Sequence, residues 1–196
     1  MTGMGEVYAN LDKFFRQVKM QEVTCPGRRN DSANHADRNI FLELLDCFTV
    51  PFDLRQTEQA IWALKTTPLG ESNAIFAEYI TADENTRLKS ACLTTTRHGR
   101  AMSVVVHVAI RKYVEQDRTV LITRKLVQPI QDLFAVCFKE TARLLLKRGK
   151  PSATGPTTVL QTHCRATDHE APSHGKAQRG HSSWRTTPYY EGGARA

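Results

Sequence analysis

Between Met102 and Val127 two apolar runs flank one polar turn. In the first, Val104, Val106, Val108 and Ile110 alternate with Val105, His107, Ala109, Arg111 and Tyr113. In the second, Val120, Ile122, Arg124 and Leu126 alternate with Thr119, Leu121, Thr123, Lys125 and Val127, and Glu115 to Arg118 makes a turn of hairpin length. Period-two alternation of β-branched residues around such a turn predicts a long antiparallel hairpin. One face of its first strand is wholly apolar and the other is mixed. A lone hairpin is marginal in water, so this one belongs to a larger sheet.

The same reading extends along the chain. Residues 5–20 place Val7, Leu11, Phe14, Phe15 and Val18 at helical spacing, which predicts an amphipathic helix within an N-terminal segment, 1–24. Residues 25–39 are polar, rich in turn formers and without period, and read as a loop. Ile40 to Val50 reads as a strand stopped by Pro51. Asp53 is placed to cap a helix from Leu54 to about Lys65, with Leu54, Thr57, Ile61 and Leu64 facing inward and Trp62 at the edge. Residues 73–80 and 86–95 read as strands, and Val159 to Cys164 as a last one. Leu133 to Lys147 fits a helix or two strands turning at Glu140-Thr141. Residues 166–196 have almost no aliphatic side chain and read as a disordered basic tail.

Composition narrows the function classes. A chain of 196 residues with 40% hydrophobic content suits one soluble domain with extras. No apolar stretch approaches the roughly 20 residues of a membrane span, and the N-terminus lacks a signal-peptide core, so an intracellular location, cytoplasmic or nuclear, is expected. The net charge of +7 is spread over small groups with no interleaved aromatics, which argues against direct nucleic-acid binding. Five cysteines form no C-x-x-C pair and read as buried thiols. His163, Cys164, His169, His174 and His181 match no zinc spacing, so no metal or other cofactor is expected. Nucleophile-elbow and phosphate-loop motifs are absent, and no catalytic residue is assigned.

The order of elements, together with PFDLRQTEQAIW and RKYVEQDRTVLITRKLVQP, resembles the START-like (steroidogenic acute regulatory protein-related lipid-transfer) domain, in particular START-like and mating-specific proteins of oomycetes. Val114, Glu115, Asp117, Arg118 and Val120 stand at one motif of those proteins, and Cys137, Phe138, Glu140, Leu144, Leu145 and Leu146 at another. The resemblance covers residues 40–165. It implies an α+β helix-grip fold, a curved antiparallel sheet packed with helices, and it favours two strands for Leu133 to Lys147. Such domains close their cavity with a long C-terminal helix. Nothing after Cys164 has helical period, so that lid is missing here or the N-terminal helix takes its place.

What the resemblance implies for function is non-catalytic binding of a lipid or other hydrophobic molecule. The expected wall is the mixed hairpin face, with Val105, His107, Ala109, Arg111, Leu121 and Thr123, where His107 or Arg111 would meet a polar head group. The alternative is a regulatory or interaction scaffold that meets a protein partner without a working cavity.

Overall fold

The computed structural model describes residues 3–31, 39–66, 74–97, 100–130, 137–153 and 155–168. Within these, eight strands form one antiparallel sheet: β1 (Gly27–Asn30), β2 (Ile40–Val50), β3 (Ala74–Asp83), β4 (Thr86–Arg97), β5 (Arg100–Val114), β6 (Arg118–Pro129), β7 (Phe138–Arg148) and β8 (Thr158–Asp168). Their order across the sheet is β1-β2-β8-β7-β6-β5-β4-β3. Strands β3 to β8 form a meander of neighbours, whereas β2 lies beside β8 at the opposite end from β3. The connection from β2 to β3 therefore crosses the sheet, and it carries helix α3 (Leu54–Thr66). The protein is α+β and dominated by its sheet.

The Met102 to Val127 hairpin forms as its alternation predicts. Val108 pairs with Lys125 and Tyr113 with Val120, and the Glu115 N–H donates to the Arg118 carbonyl at the tip, 2.9 Å away. Side-chain alternation then gives the sheet two faces. On the first lie Leu45, Cys47, Ala109, Val120, Ile122 and Leu145, packed with α1 (Met4–Ala9), α2 (Leu11–Gln17) and the 3-10 turn Met20–Glu22 through Met4, Leu11, Phe15 and Met20. The N-terminal amphipathic segment is thus two short helices that break at Asn10, and both bury their apolar side on the sheet.

On the second face lie Val106, Val108, Ile110 and Val127, and beside them Leu121, Leu144 and Leu146. Helix α3 packs here through Leu54, Ile61 and Trp62. Its start is the expected one, since the Gln56 N–H donates to Asp53 Oδ1 at 2.8 Å. Its rotation differs from expectation: Leu64 is 75% exposed, while Glu58 turns toward the sheet and pairs with Lys112 at 2.6 Å. The half-buried Trp62 ring lies under the Lys112 ammonium, 4.9 Å from its centroid, and this contact together with the ion pair turns the helix away from Leu64.

Three further expectations are corrected. Residues 27–30 are not loop: β1 pairs with β2 as an edge strand, with Arg28 on Asp46, because an edge strand needs one ladder and no apolar face. Glu140-Thr141 is not a turn, and neither a helix nor a pair of strands spans 138–148. Strand β7 runs straight through, and Glu140 is accommodated by the cross-strand ammonium of Lys125 at 2.8 Å. The last strand continues past Cys164 to Asp168, and Ala166 is buried between Leu42 and Glu140 as their register partner. Residues 67–73, 131–136 and 169–196 lie outside the described residues, and with them the expected tail from 169 onward and His169, His174 and His181.

Candidate functional site

The six residues expected to share one wall do not share one face. Val105, His107, Ala109 and Arg111 lie on the first face, where their partners on β6 are Gln128, Leu126, Arg124 and Ile122. Leu121 and Thr123 pair with Lys112 and Ile110, and so lie on the second face. The register of a hairpin sets which parity meets which: four residues, Glu115 to Arg118, separate the paired Val114 and Thr119, so odd positions on β5 face even positions on β6, which reverses the assignment made by matching polar positions alone. His107 accepts or donates a hydrogen bond with Ser90 across 3.0 Å, Arg111 is exposed and lies 5.4 Å from the Tyr113 ring centroid, and Ala109 is 1% exposed within the core under the N-terminal helices. That wall is therefore packed core at Ala109.

The chemistry concentrated on the first face lies elsewhere. His163 is 0% exposed and Glu43 1%, and His163 Nε2 stands 2.7 Å from Glu43 Oε1. Strand β8 supplies His163 and Arg165, β2 supplies Glu43 and β7 supplies Arg143. The tautomer follows from the partners. Arg143 can only donate, so its N–H, 3.2 Å away, makes His163 Nδ1 the acceptor, and the ring proton sits on Nε2 and is given to Glu43. Burial, joined by the nearby charges of Arg143 and Arg165 and opposed by Glu43, pushes the His163 pKa down to about 4. The ring is neutral at neutral pH.

Glu43 is held in its charged form by a different balance. Burial raises its pKa, but hydrogen bonds from His163 and from Arg165 Nε, 3.0 Å away, outweigh that and leave it below the ordinary carboxylate value. Burial lowers the Arg143 pKa to about 10, with Arg165 and Arg124 acting in the same direction. Phe14 of α2 covers the group: the Arg143 guanidinium carbon is 3.9 Å from its ring centroid and the His163 ring meets it edge-on at 4.7 Å. Cation–π contact takes part of the place of water here. The other end of the N-terminal segment is fixed by Tyr8, which stacks on Tyr113 at 4.0 Å and donates to Glu115 at 2.9 Å. Arg118 bridges Glu115 and Asp12.

None of this was legible in the sequence, where His163 appeared only as a member of a loose His/Cys group. Glu43 stands 120 positions away from it, inside a run that reads as plain strand. The one available signal is an acid at an inward position of an otherwise apolar strand. Among the described residues no group of three or more His, Cys, Asp or Glu side chains is placed to hold a metal ion.

The second face offers a different surface. Val106, Val108, Ile110 and Val127 form an apolar floor that α3 reaches through Trp62. Val108 is the register partner of both Lys89 and Lys125, so a polar row of Lys89, Lys125 and Glu140 crosses this floor. Lys89 is buried, and burial, with the charge of Lys65, lowers its pKa. Two open clefts, of about 380 and 410 Å³, lie at the rims of the N-terminal helices: one beside Tyr8, Arg111 and Tyr113, the other beside Asp12, Met20 and Arg118. No helix among the described residues is long and apolar enough to cross a membrane. A scan against protein-family models matches no family, and a search of curated proteins finds no matching relative.

Proposed function

We propose that the chain is a non-catalytic binding module for a hydrophobic small molecule or lipid, with its seat on the second face between the sheet and α3. The observation that carries this reading is how unequally the apolar side chains of α3 are shared between the two groups on that face. Leu54, Ile61 and Trp62 of α3 pack on Leu121, Leu144 and Leu146, but among the described residues Trp62 is the only apolar α3 side chain packed on Val106, Val108, Ile110 and Val127. The four floor side chains are 2 to 9% exposed, so the floor is closed to solvent and a ligand would take its place there by displacing α3.

An apolar floor with a few polar groups is the usual make-up of a small-molecule site, in which the polar groups orient the ligand. Lys89, Thr123 and the Lys125–Glu140 pair are those groups here. The strand order, with β2 beside β8 and α3 in the crossover to β3, supports the helix-grip reading and the resemblance to START-like domains. The N-terminal helices lie on the opposite face, so on this reading they do not act as the lid. Organic extraction of the purified full chain followed by mass spectrometry tests the proposal. A hydrophobic molecule recovered in near-stoichiometric amount supports it. A chain that yields none, and that takes up no acyl probe, goes against it and leaves the scaffold reading.

A further inference from the structure

Among the described residues, the first face holds more buried guanidinium N–H groups than acceptors for them. Arg165, Thr141 and Arg124 are register neighbours in one row across β8, β7 and β6, which sets the two arginine Cα atoms about 10 Å apart. Arg143 lies two residues along β7 from Thr141, on the same face. Arg165 and Arg143 flank Glu43 and the neutral His163, and Arg124 is the next cation along the face, near enough to Arg143 to act on its charge, with its guanidinium against Gly3 at the start of α1. Arg165 is engaged by Glu43. Arg143 gives one N–H to His163, and its buried Nε has no acceptor. Arg124 is half-buried, its Nε is shut off from water without an acceptor, and it makes no hydrogen bond or ion pair among the described residues.

An unmet N–H on a desolvated guanidinium is costly, and two such groups side by side call for an acceptor that carries negative charge. Guanidinium forks match the spacing of oxygens on a phosphoryl group, and a dianion would balance three positive charges set against one carboxylate. The next row outward contains Thr167, Lys139, Leu126 and His107, with no acid, and Lys139 is exposed. We propose that Arg124, Arg143 and Arg165 form a site for a phosphate-type oxyanion, entered from the Lys139 side of the sheet. This site lies on the face opposite the apolar floor and does not depend on that floor binding anything.

Inorganic phosphate and a phosphorylated head group present the same oxygens, and two arms of one experiment separate them. In the first, inorganic phosphate is titrated calorimetrically into the full chain at an ionic strength held constant with chloride. Saturable binding is expected, weakened about tenfold or more by Arg124→Gln and unchanged by Lys13→Gln on the exposed side of α2. In the second, the chain is sedimented with vesicles of phosphatidylcholine with or without phosphatidic acid. Arg124-dependent sedimentation with the phosphatidic acid vesicles assigns the site to a head group, and phosphate binding without it assigns the site to the free ion. If Arg124→Gln does not fold, Arg124→Lys keeps the charge and removes the fork, and weaker binding is again expected. Absence of binding in both arms, affinity unchanged in the Arg124 variant that folds, or equal losses in the Arg124 and Lys13 variants would overturn the proposal.

Discussion

His163 donates its Nε2 proton to Glu43 across 2.7 Å, at a depth where neither side chain meets solvent. The bond joins β8 to β2, and through Phe14 it also seats the N-terminal helices. Because the folded protein holds a neutral ring, its stability depends on pH in a definite direction. An unfolded chain takes up a proton at His163 below about pH 6.5, while the folded chain resists until about pH 4. Stability is therefore full above that window and falls as pH drops across it, by on the order of 3 kcal/mol. Glu43, whose pKa is lowered in the fold, adds a further loss at the acid end. Urea titrations at a series of pH values check this. His163→Gln should flatten the upper part of the window, and a stability that stays level down to pH 4 would contradict the assignment.

Glu43→Gln removes the one carboxylate that Arg165 and His163 share. Two guanidinium groups are then left without a counter-charge in a partly desolvated place. A loss on the order of 3 kcal/mol is expected, read as a drop in the denaturant midpoint. A change within experimental error would mean that water reaches the cluster freely.

Ala109→Trp adds volume at a position that is 1% exposed and packed among the residues under α1 and α2. Overpacking should cost about 1 to 3 kcal/mol or displace the N-terminal helices. Thermal denaturation and proteolysis near Phe15 report this. A variant as stable as the parent would reveal free space on that face.

Asp53→Ala removes the acceptor of the Gln56 amide and should lower stability by about 0.5 to 2 kcal/mol. Because α3 crosses the proposed floor, the same variant should also weaken binding of an acyl probe. Unchanged stability would place the helix start elsewhere.

The parts of the fold that were legible are those in which local pattern and tertiary environment agree. Val104 to Ile110 and Val120 to Val127 alternate because each strand has two different surroundings, and Asp53 caps α3 through a contact three residues away. The illegible parts depend on partners distant in sequence. Strand β1 is polar because it sits at an edge, and Glu140 continues a strand because Lys125 lies beside it. The misplacement of Leu121 and Thr123 has the same origin, since parity across a hairpin is set by the length of its turn and not by which positions look polar. Likewise Leu64 faces solvent because the Glu58–Lys112 pair and Trp62 decide the rotation of α3.

The most direct test of a hydrophobic seat beneath α3 uses Trp62, which packs on the floor formed by Val106, Val108, Ile110 and Val127. The chain has two tryptophans, so Trp184→Phe leaves Trp62 as the sole donor. A dansyl-labelled fatty acid titrated into this variant should accept energy from Trp62, saturate at one probe per chain and be displaced by unlabelled fatty acid. Val108→Glu, which places a charge on the floor, should abolish the transfer while α3 remains helical by circular dichroism. Transfer that never saturates, or that persists unchanged in Val108→Glu, would contradict a ligand seat between Trp62 and the sheet.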